Sequence, residues 1–313
     1  MPSTSTGLTN VTIPDSVTRI GSYAFSGCTG LTRIVIPDSV ESIGSYAFSG
    51  CTGLTRIVIP DSVTSIGDSA FQYCYRLVEV YNKSSLTITA GSSNNGYLAY
   101  YAKNVYTTED GSKLSTDENG YVIYTNGEER ILVAYQGNET NLILPDGITA
   151  INKYAFQYCS GLTSITIPDS MTSIGSYAFY YCSGLTSITI PDNVTSLGHY
   201  TFSCCRVLTN VTIGNGVTYI GRETFSCCNR LTNVTIGNGV WSIAYRAFAY
   251  CSRLTSITIP NSVTRFLGLV FEGCSNLVEV KYCGTEAQWK DINKQENTFN
   301  GVHKDFHIVF MEQ

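Results

Sequence analysis

The sequence is poor in charged residues and in histidine. Charged residues make up 14% of its 313 residues, the formal net charge is −5, and the only histidines are His199, His303 and His307. Proteins that bind nucleic acid need clustered Lys and Arg, and no run of like charge occurs here. The composition therefore argues against a nucleic-acid partner.

Sequence motifs of common enzymes are also missing. The chain has no phosphate-binding loop, no dinucleotide-binding glycine motif, no GxSxG and no HExxH. With so few histidines and no convergent cluster of acids, we predict no enzyme activity, no cofactor and no metal site.

No apolar stretch approaches the length of about 20 residues that a membrane-spanning helix needs, so we expect no transmembrane segment in this chain. The N-terminus has no basic segment followed by an apolar one, as a signal peptide would. The sequence repeat described below begins at Leu8, with no capping element before it. We therefore expect a piece of a longer protein, in which a missing signal says little about location.

What the sequence does contain is a repeat with a constant period of 23. Each unit begins with a leucine, and this spacing indicates a solenoid, in which each unit buries its apolar side against its neighbours. These leucines are Leu8, Leu31, Leu54, Leu77, Leu162, Leu185, Leu208, Leu231, Leu254 and Leu277.

Numbering from that leucine, positions 1, 4 and 6 are apolar, and the alternating text around them predicts a half-buried strand. Position 7 is usually proline, which ends the strand, and the glycine at position 14 is expected to bend the return leg. Where Gly-Asn-Gly replaces Pro-Asp-Ser, at 214–216 and 237–239, we expect another turn, whose glycines permit positive φ. A phenylalanine at position 18 predicts an aromatic spine through the core: Phe25, Phe48, Phe71, Phe156, Phe179, Phe202, Phe225, Phe248 and Phe271.

The text L-x-x-I-x-I-P-D-x-V-x-x-I-G-x-x-A-F-x-x-C, matched almost completely twice between Leu162 and Cys205, resembles the BspA-like (treponemal-type) leucine-rich repeat. The resemblance covers residues 8–81 and 139–283. It implies a mainly β fold, a right-handed leucine-rich-repeat solenoid with a parallel sheet on the concave face. It also implies a cell-surface or secreted protein that adheres to matrix proteins or to other cells.

Departures from the period divide the chain into four segments. Residues 1–81 and 139–283 are the two blocks of repeats, 82–138 is an irregular Tyr-rich β insertion within the solenoid, and 284–313 is a C-terminal cap. The insertion contains a hairpin with Asn126-Gly127 as its turn. A separate bulging subdomain is the alternative for this segment. In the cap, the sequence from Thr285 to Gln288 predicts a helix-capping box, and residues 306–310 are predicted to form a last strand.

Cysteine is frequent, with 12 residues, and nine of these occupy position 21. We interpret those nine as a ladder of small buried hydrophobes. Cys204 and Cys227 are additional, lie at adjacent steps of the stack, and could pair or bind a metal ion.

The remaining candidate for function is the outward face of the strands, at positions 3 and 5. Thr, Ser and Asn dominate these rows, which suits polar contacts to a protein or a glycan, although Thr is also a good strand residue without any ligand. The candidate ligand-binding residues on this concave face are Arg33, Arg56, Ser164, Thr166, Ser187, Thr189, Asn210, Thr212, Asn233, Thr235, Ser256 and Thr258.

Our first hypothesis is a non-enzymatic adhesion module whose partner is an extracellular protein or glycan, of the host matrix or of another cell. A second is a structural spacer that holds another domain away from the cell wall. A third is a glycan-binding module that stacks sugars on the tyrosines of the insertion: Tyr97, Tyr100, Tyr101, Tyr121 and Tyr124.

Overall fold

The computed structural model describes residues 8–108, 112–295 and 297–311, so residues 1–7, which carry the N-terminal text discussed above, lie outside the described part. The chain forms two compact units, unit 1 (Met1–Thr116) and unit 2 (Asp117–Gln313). Each unit is built from turns that carry one longer and one shorter strand.

In unit 1 the longer strands pair in parallel, as do the shorter ones. Its elements are β1 (Arg19–Ile20), β2 (Ser42–Ile43), β3 (Arg56–Ile59), β4 (Ser65–Ile66), β5 (Glu79–Asn82), α1 (Asn94–Tyr97), β6 (Asn104–Tyr106) and β7 (Leu114–Thr116). The longer strands are β3, β5 and β6, and the shorter ones are β1, β2 and β4. Glu79 pairs with Asn104, so the turn from β5 to β6 is slightly longer than a regular repeat and continues the coil irregularly.

Unit 2 begins with a hairpin, β8 (Tyr121–Asn126) and β9 (Glu129–Tyr135), and then repeats regularly. The longer strands are β10 (Asn141–Ile143), β12 (Ser164–Thr166), β14 (Ser187–Ile190), β16 (Asn210–Ile213), β18 (Asn233–Ile236), β20 (Ser256–Pro260), β22 (Glu279–Cys283) and β24 (His307–Phe310). The shorter strands are β11 (Ala150–Ile151), β13 (Ser173–Ile174), β15 (Ser196–Leu197), β17 (Tyr219–Ile220), β19 (Ser242–Ile243), β21 (Arg265–Phe266) and β23 (Asn293–Lys294), and α2 (Glu286–Asp291) precedes β23.

Where strands of consecutive repeats pair, they are parallel and in register, so that each residue lies beside its own copy in the next repeat, for example Thr189 with Thr212 and Thr212 with Thr235. This register confirms the prediction of a mainly β repeat solenoid with parallel sheets. It also means that every repeat position forms a row along the stack.

The core of each unit is the predicted aromatic spine. Phe25, Phe48 and Phe71 stack in unit 1 with ring centroids 5.2 and 5.1 Å apart. In unit 2 the rings from Phe156 to Phe271 stack at 5.0 to 5.8 Å. Such offset stacking adds to the free energy of burial.

Elements outside the regular repeats extend this spine in unit 2. The ring centroid of Tyr135 in β9 lies 6.0 Å from that of Phe156, and the ring centroid of Phe299 lies 5.4 Å from that of Phe271. The hairpin strand β9 also pairs in parallel with β11. The spine therefore runs past both ends of the regular repeats of unit 2.

The structure shows what glycine does at two kinds of position. At position 14, an added Cβ at Gly198 would collide with the backbone nitrogen of Ser176, so glycine there allows adjacent turns to stack closely. Gly216 likewise has no positive φ, and its Cβ would lie 1.9 Å from the carbonyl oxygen of Asp192. Left-handed backbone occurs instead at positions 16 and 20, mostly on tyrosines such as Tyr177 and Tyr181, both with φ of 59°.

The predicted hairpin is confirmed, but its turn is displaced by one residue. Asn126 pairs with Glu129, which leaves Gly127 and Glu128 as the turn. Gly127 has φ of 63°, the left-handed conformation that glycine accommodates without a steric penalty.

The predicted C-terminal elements are also present. The Thr285 hydroxyl accepts a hydrogen bond from the Gln288 backbone N–H, and the Gln288 side chain accepts one from the Thr285 N–H, which is the capping box. Trp289 on α2 packs against Phe266 and Tyr282, and the final strand β24 pairs with β22. Helix and strand thus cover the last turn of the core.

Candidate functional site

The longer strands of unit 2 present the predicted site residues as two straight rows. Positions 4 and 6 point into the core, where Ile188 and Ile190 are almost fully buried. Positions 3 and 5 alternate with them and therefore face outward. We call this surface the neutral face: Ser164, Thr166, Ser187, Thr189, Asn210, Thr212, Asn233, Thr235, Ser256 and Thr258. Ser164 and Ser256 are half-buried and the other eight are exposed.

Register pairs bring the members of each row together. Asn210 lies between Ser187 and Asn233, and the Asn233 amide donates to the Asn210 side-chain oxygen at 2.7 Å. The threonine at position 2 of a repeat donates its hydroxyl to the carbonyl of the preceding repeat's threonine, as Thr209 does to Thr186 at 3.0 Å. These hydrogen bonds hold the position-2 threonine hydroxyls and the asparagine amides in fixed orientations. A partner would therefore bind to an ordered surface.

The neutral face carries no formal charge over five consecutive repeats, from Ser164 to Thr258. At one end, Glu279 and Lys281 form an ion pair of 3.5 Å and offset each other. At the other end, position 5 of the unit that begins at Glu139 is Ile143, which is 76% exposed. A surface of hydroxyls and amides can both donate and accept hydrogen bonds, and it desolvates at lower cost than a charged one.

Arg33 and Arg56, the two predicted site residues of unit 1, lie on a different kind of surface. They line a groove together with Val35, Val58 and Tyr81. The groove has a volume of about 200 Å³, and Asp38 and Lys83 also line it. We call this surface the arginine groove: Arg33, Val35, Asp38, Arg56, Val58, Tyr81 and Lys83.

Behind the groove, a buried carboxylate was missed by the sequence reasoning. Glu79 occupies position 3, yet it is fully buried and accepts hydrogen bonds from the Tyr81 hydroxyl at 2.8 Å, the Ser112 hydroxyl at 2.9 Å and the Lys113 backbone N–H at 2.8 Å. Burial, and then the bond to Glu79, raise the pKa of Tyr81, against the lowering effects of Ser112 and Arg56. The signal that could have revealed this carboxylate is the replacement of Val by Tyr at position 5 of the same repeat.

The tyrosines of the insertion are not one surface. Tyr121 and Tyr124 are only 4% and 2% exposed, because both side chains belong to the hairpin that begins unit 2. Tyr97, Tyr100 and Tyr101 form edge-to-face contacts in unit 1, and Tyr100 is exposed. The stacking site assumed by the glycan hypothesis therefore loses Tyr121 and Tyr124.

The nine position-21 cysteines are placed as predicted for core residues. Eight are buried, and Cys159 is half-buried. Their thiols donate to the phenylalanine carbonyl one turn earlier, for example Cys205 to Phe179 and Cys228 to Phe202, both at 3.2 Å. Burial raises the pKa of these two thiols well above its ordinary value, so they are unreactive.

Among residues 8–108, 112–295 and 297–311, no group of three or more His, Cys, Asp and Glu side chains is arranged to hold a metal ion. Over the same residues, no helix is long and apolar enough to cross a membrane.

Comparison with known proteins places these features in context. The model of the BspA type leucine rich repeat region matches residues 3–98 and 149–278, with six copies. No curated protein sequence matches the chain. A leucine-rich repeat protein from Eubacterium ventriosum is similar in structure, with 24% identity and a TM-score of 0.62 over 94% of this chain and 83% of that chain. A leucine rich cell surface protein from Faecalibacterium prausnitzii has 26% identity and a TM-score of 0.51 over 91% of this chain and 82% of that chain.

Proposed function

The chain belongs to the family of proteins with BspA-type leucine-rich repeats, and on that premise we propose that it is a non-enzymatic binding module of a cell-surface or secreted protein. Its partner is an extracellular protein, held on the neutral face of unit 2. The observation that carries this proposal is the two rows of uncharged polar side chains on strands β12 to β20, of which eight of ten are exposed and which pair in register across β14, β16 and β18.

A protein partner fits this face better than a nucleic acid or a glycan. The rows have no Lys or Arg to neutralise phosphates and no aromatic ring on which a sugar could stack. They offer regularly spaced hydroxyls and amides, which match the N–H and C=O groups and polar side chains of another protein.

Two further points concern the location of the protein and the way in which it binds its partner. The F. prausnitzii relative is described as a cell surface protein, and the similarity covers 91% of this chain. The low charge of the neutral face also predicts binding that depends little on ionic strength, because screening acts on charges. We therefore propose adhesion at a surface rather than electrostatic capture.

The test is a binding screen by interferometry, at physiological salt, against a panel of extracellular matrix proteins and a glycan array. The decisive variant carries Thr189→Arg, Thr212→Arg and Thr235→Arg, which puts three long cations in the middle of the neutral face. We expect it to weaken a saturable interaction by at least about tenfold, since buried unpaired charge at an interface costs several kcal/mol.

A matched control carries Thr172→Arg, Thr195→Arg and Thr218→Arg. These threonines are exposed and lie one repeat apart like the first set, but they stand at position 11, beside the shorter strands. Both variants gain the same charge, so only the position differs. The proposal is contradicted if both variants lose the same affinity, or if the wild-type chain binds glycans of the array and none of the matrix proteins. If the folded wild type binds nothing on either panel, the result favours the hypothesis that the chain is a structural spacer.

A further inference from the structure

Two cysteines differ from the nine of the buried ladder in position and surroundings. Cys204 and Cys227 stand at position 20, where the preceding and following repeats have Tyr181 and Tyr250. Both have left-handed backbone, with φ of 62° and 60°, and both are half-buried rather than buried. Two small thiols thus occupy consecutive steps of a row that otherwise carries large aromatic rings in this region.

The backbone holds the two thiols side by side. The N–H of Cys204 donates to the carbonyl of Ser226, and that of Cys227 donates to the carbonyl of Ala249, both at 2.8 Å, so the two residues lie at adjacent turns in the same register. Adjacent turns stacked in this way are about 4.8 Å apart, within the Cα separation of about 4.4–6.8 Å that a disulfide spans. The side chains of Cys204 and Cys227 interact, and each shifts the pKa of the other.

The environment stabilises negative charge on one sulfur of the pair. The Cys227 side chain, the hydroxyls of Ser203 and Tyr181 and the charge of Arg206 together lower the pKa of Cys204 to about 6, against the opposing effect of burial. The Ser203 oxygen lies 3.9 Å from the Cys204 sulfur. The interaction with Cys204, together with burial, raises the pKa of Cys227.

We propose that Cys204 and Cys227 form a thiol–disulfide exchange site on unit 2, with a low-molecular-weight disulfide as substrate. The Cys204 thiolate attacks one sulfur of the external disulfide, forming a mixed disulfide and expelling one thiolate, which takes a proton from water. Cys227 then attacks the Cys204 sulfur and passes its proton to the second departing thiolate. The two cysteines are oxidised to a disulfide between adjacent turns, and the external disulfide is reduced to two thiols.

Attack by Cys204 is tested by alkylating the folded chain with limiting iodoacetamide between about pH 5 and about pH 9 and mapping the modified peptides by mass spectrometry. We expect Cys204 to react first, with a half-maximal rate near pH 6, while its sequence neighbour Cys205 and the equivalent Cys228 stay unmodified. Cys227→Ala should move the midpoint toward the value of about 8.5 for a free thiol, and Cys227→Ser should retain part of the shift through its hydroxyl.

Exchange is tested with glutathione disulfide. The wild type should end as a Cys204–Cys227 disulfide without bound glutathione, Cys227→Ala should keep glutathione on Cys204, and Cys204→Ala should not react at this site. The proposal is overturned if Cys205 is alkylated as fast as Cys204, if Cys227→Ala leaves the midpoint unchanged, or if the wild type retains the glutathione adduct. Circular dichroism of each variant confirms that it is folded.

Discussion

In unit 1, positions 3 and 5 of consecutive repeats are Arg33 with Val35 and Arg56 with Val58, whereas five successive repeats of unit 2 have Ser or Asn followed by Thr at the same two positions between 164 and 258. The core beneath is the same: positions 4 and 6 are isoleucine or valine in both sets of repeats, and most of them are buried. One unit therefore presents a groove with cationic and apolar walls, and the other presents a neutral polar plane.

This difference shows which part of the repeat is free to vary. Core positions stack on their own copies one turn away, so a change there disturbs two neighbours. Most side chains at positions 3 and 5 face outward, so these rows can change their chemistry with little cost to the core. The comparison predicts that core changes act alike in both units and that face changes do not.

The largest effect is expected from the aromatic spine. Phe48 in unit 1 and Phe225 in unit 2 are both fully buried between two stacked rings. Phe48→Ala and Phe225→Ala should each lower the free energy of unfolding by about 3–5 kcal/mol, from lost burial and the cavity that remains. Urea denaturation of both variants checks this, and a difference of more than about 2 kcal/mol between them would show that the two cores are not equivalent.

A smaller effect is expected where a face residue has become part of the core. Glu79→Ala removes the acceptor of three hydrogen bonds in a buried site and should cost about 2–3 kcal/mol. Glu279, at the same repeat position in unit 2, is half-buried and makes one ion pair with Lys281, so Glu279→Ala should cost less than about 1 kcal/mol. Thermal unfolding of the two variants measures both values. Equal values would mean that the Glu79 network adds nothing.

The smallest of the stability effects is expected at position 14. An alanine Cβ at Gly198 would collide with backbone of the preceding turn, whereas at Gly21 no atom lies within 4 Å. Gly198→Ala should therefore cost about 1–3 kcal/mol, and Gly21→Ala should change stability by less than about 1 kcal/mol. If both were neutral in urea denaturation, close stacking would not explain glycine at this position.

Much of this architecture could be predicted from the sequence because the period itself specifies it. Leucine at position 1, isoleucine at 4 and 6 and phenylalanine at 18 are local patterns that recur, and the stacking of Phe202 on Phe225 follows once the period is known. The capping box at Thr285 is likewise a local signal. The parallel register, and with it the exposure of the predicted face residues of unit 2, follows from the same repeat.

The remainder depends on contacts that no local pattern records. The burial of Glu79 requires Ser112 and Lys113, which lie more than one repeat further along the chain. The left-handed tyrosines at positions 16 and 20 contradict the residue's own preference, and neighbouring turns impose that conformation through backbone bonds such as Tyr177 N–H to the His199 carbonyl. The burial of Tyr121 and Tyr124 follows from the hairpin's pairing, which composition alone does not reveal.

The central claim, that the neutral face of unit 2 rather than the arginine groove of unit 1 holds a protein partner, is tested most directly by affinity for the matrix protein that the screen returns. Thr212→Arg is compared with the double variant Arg33→Ala, Arg56→Ala, at low and at physiological salt. We expect Thr212→Arg to lose at least about tenfold at both salts and the arginine variant to change less than about threefold. A loss confined to the arginine variant, and largest at low salt, would contradict the account and assign the partner to the groove.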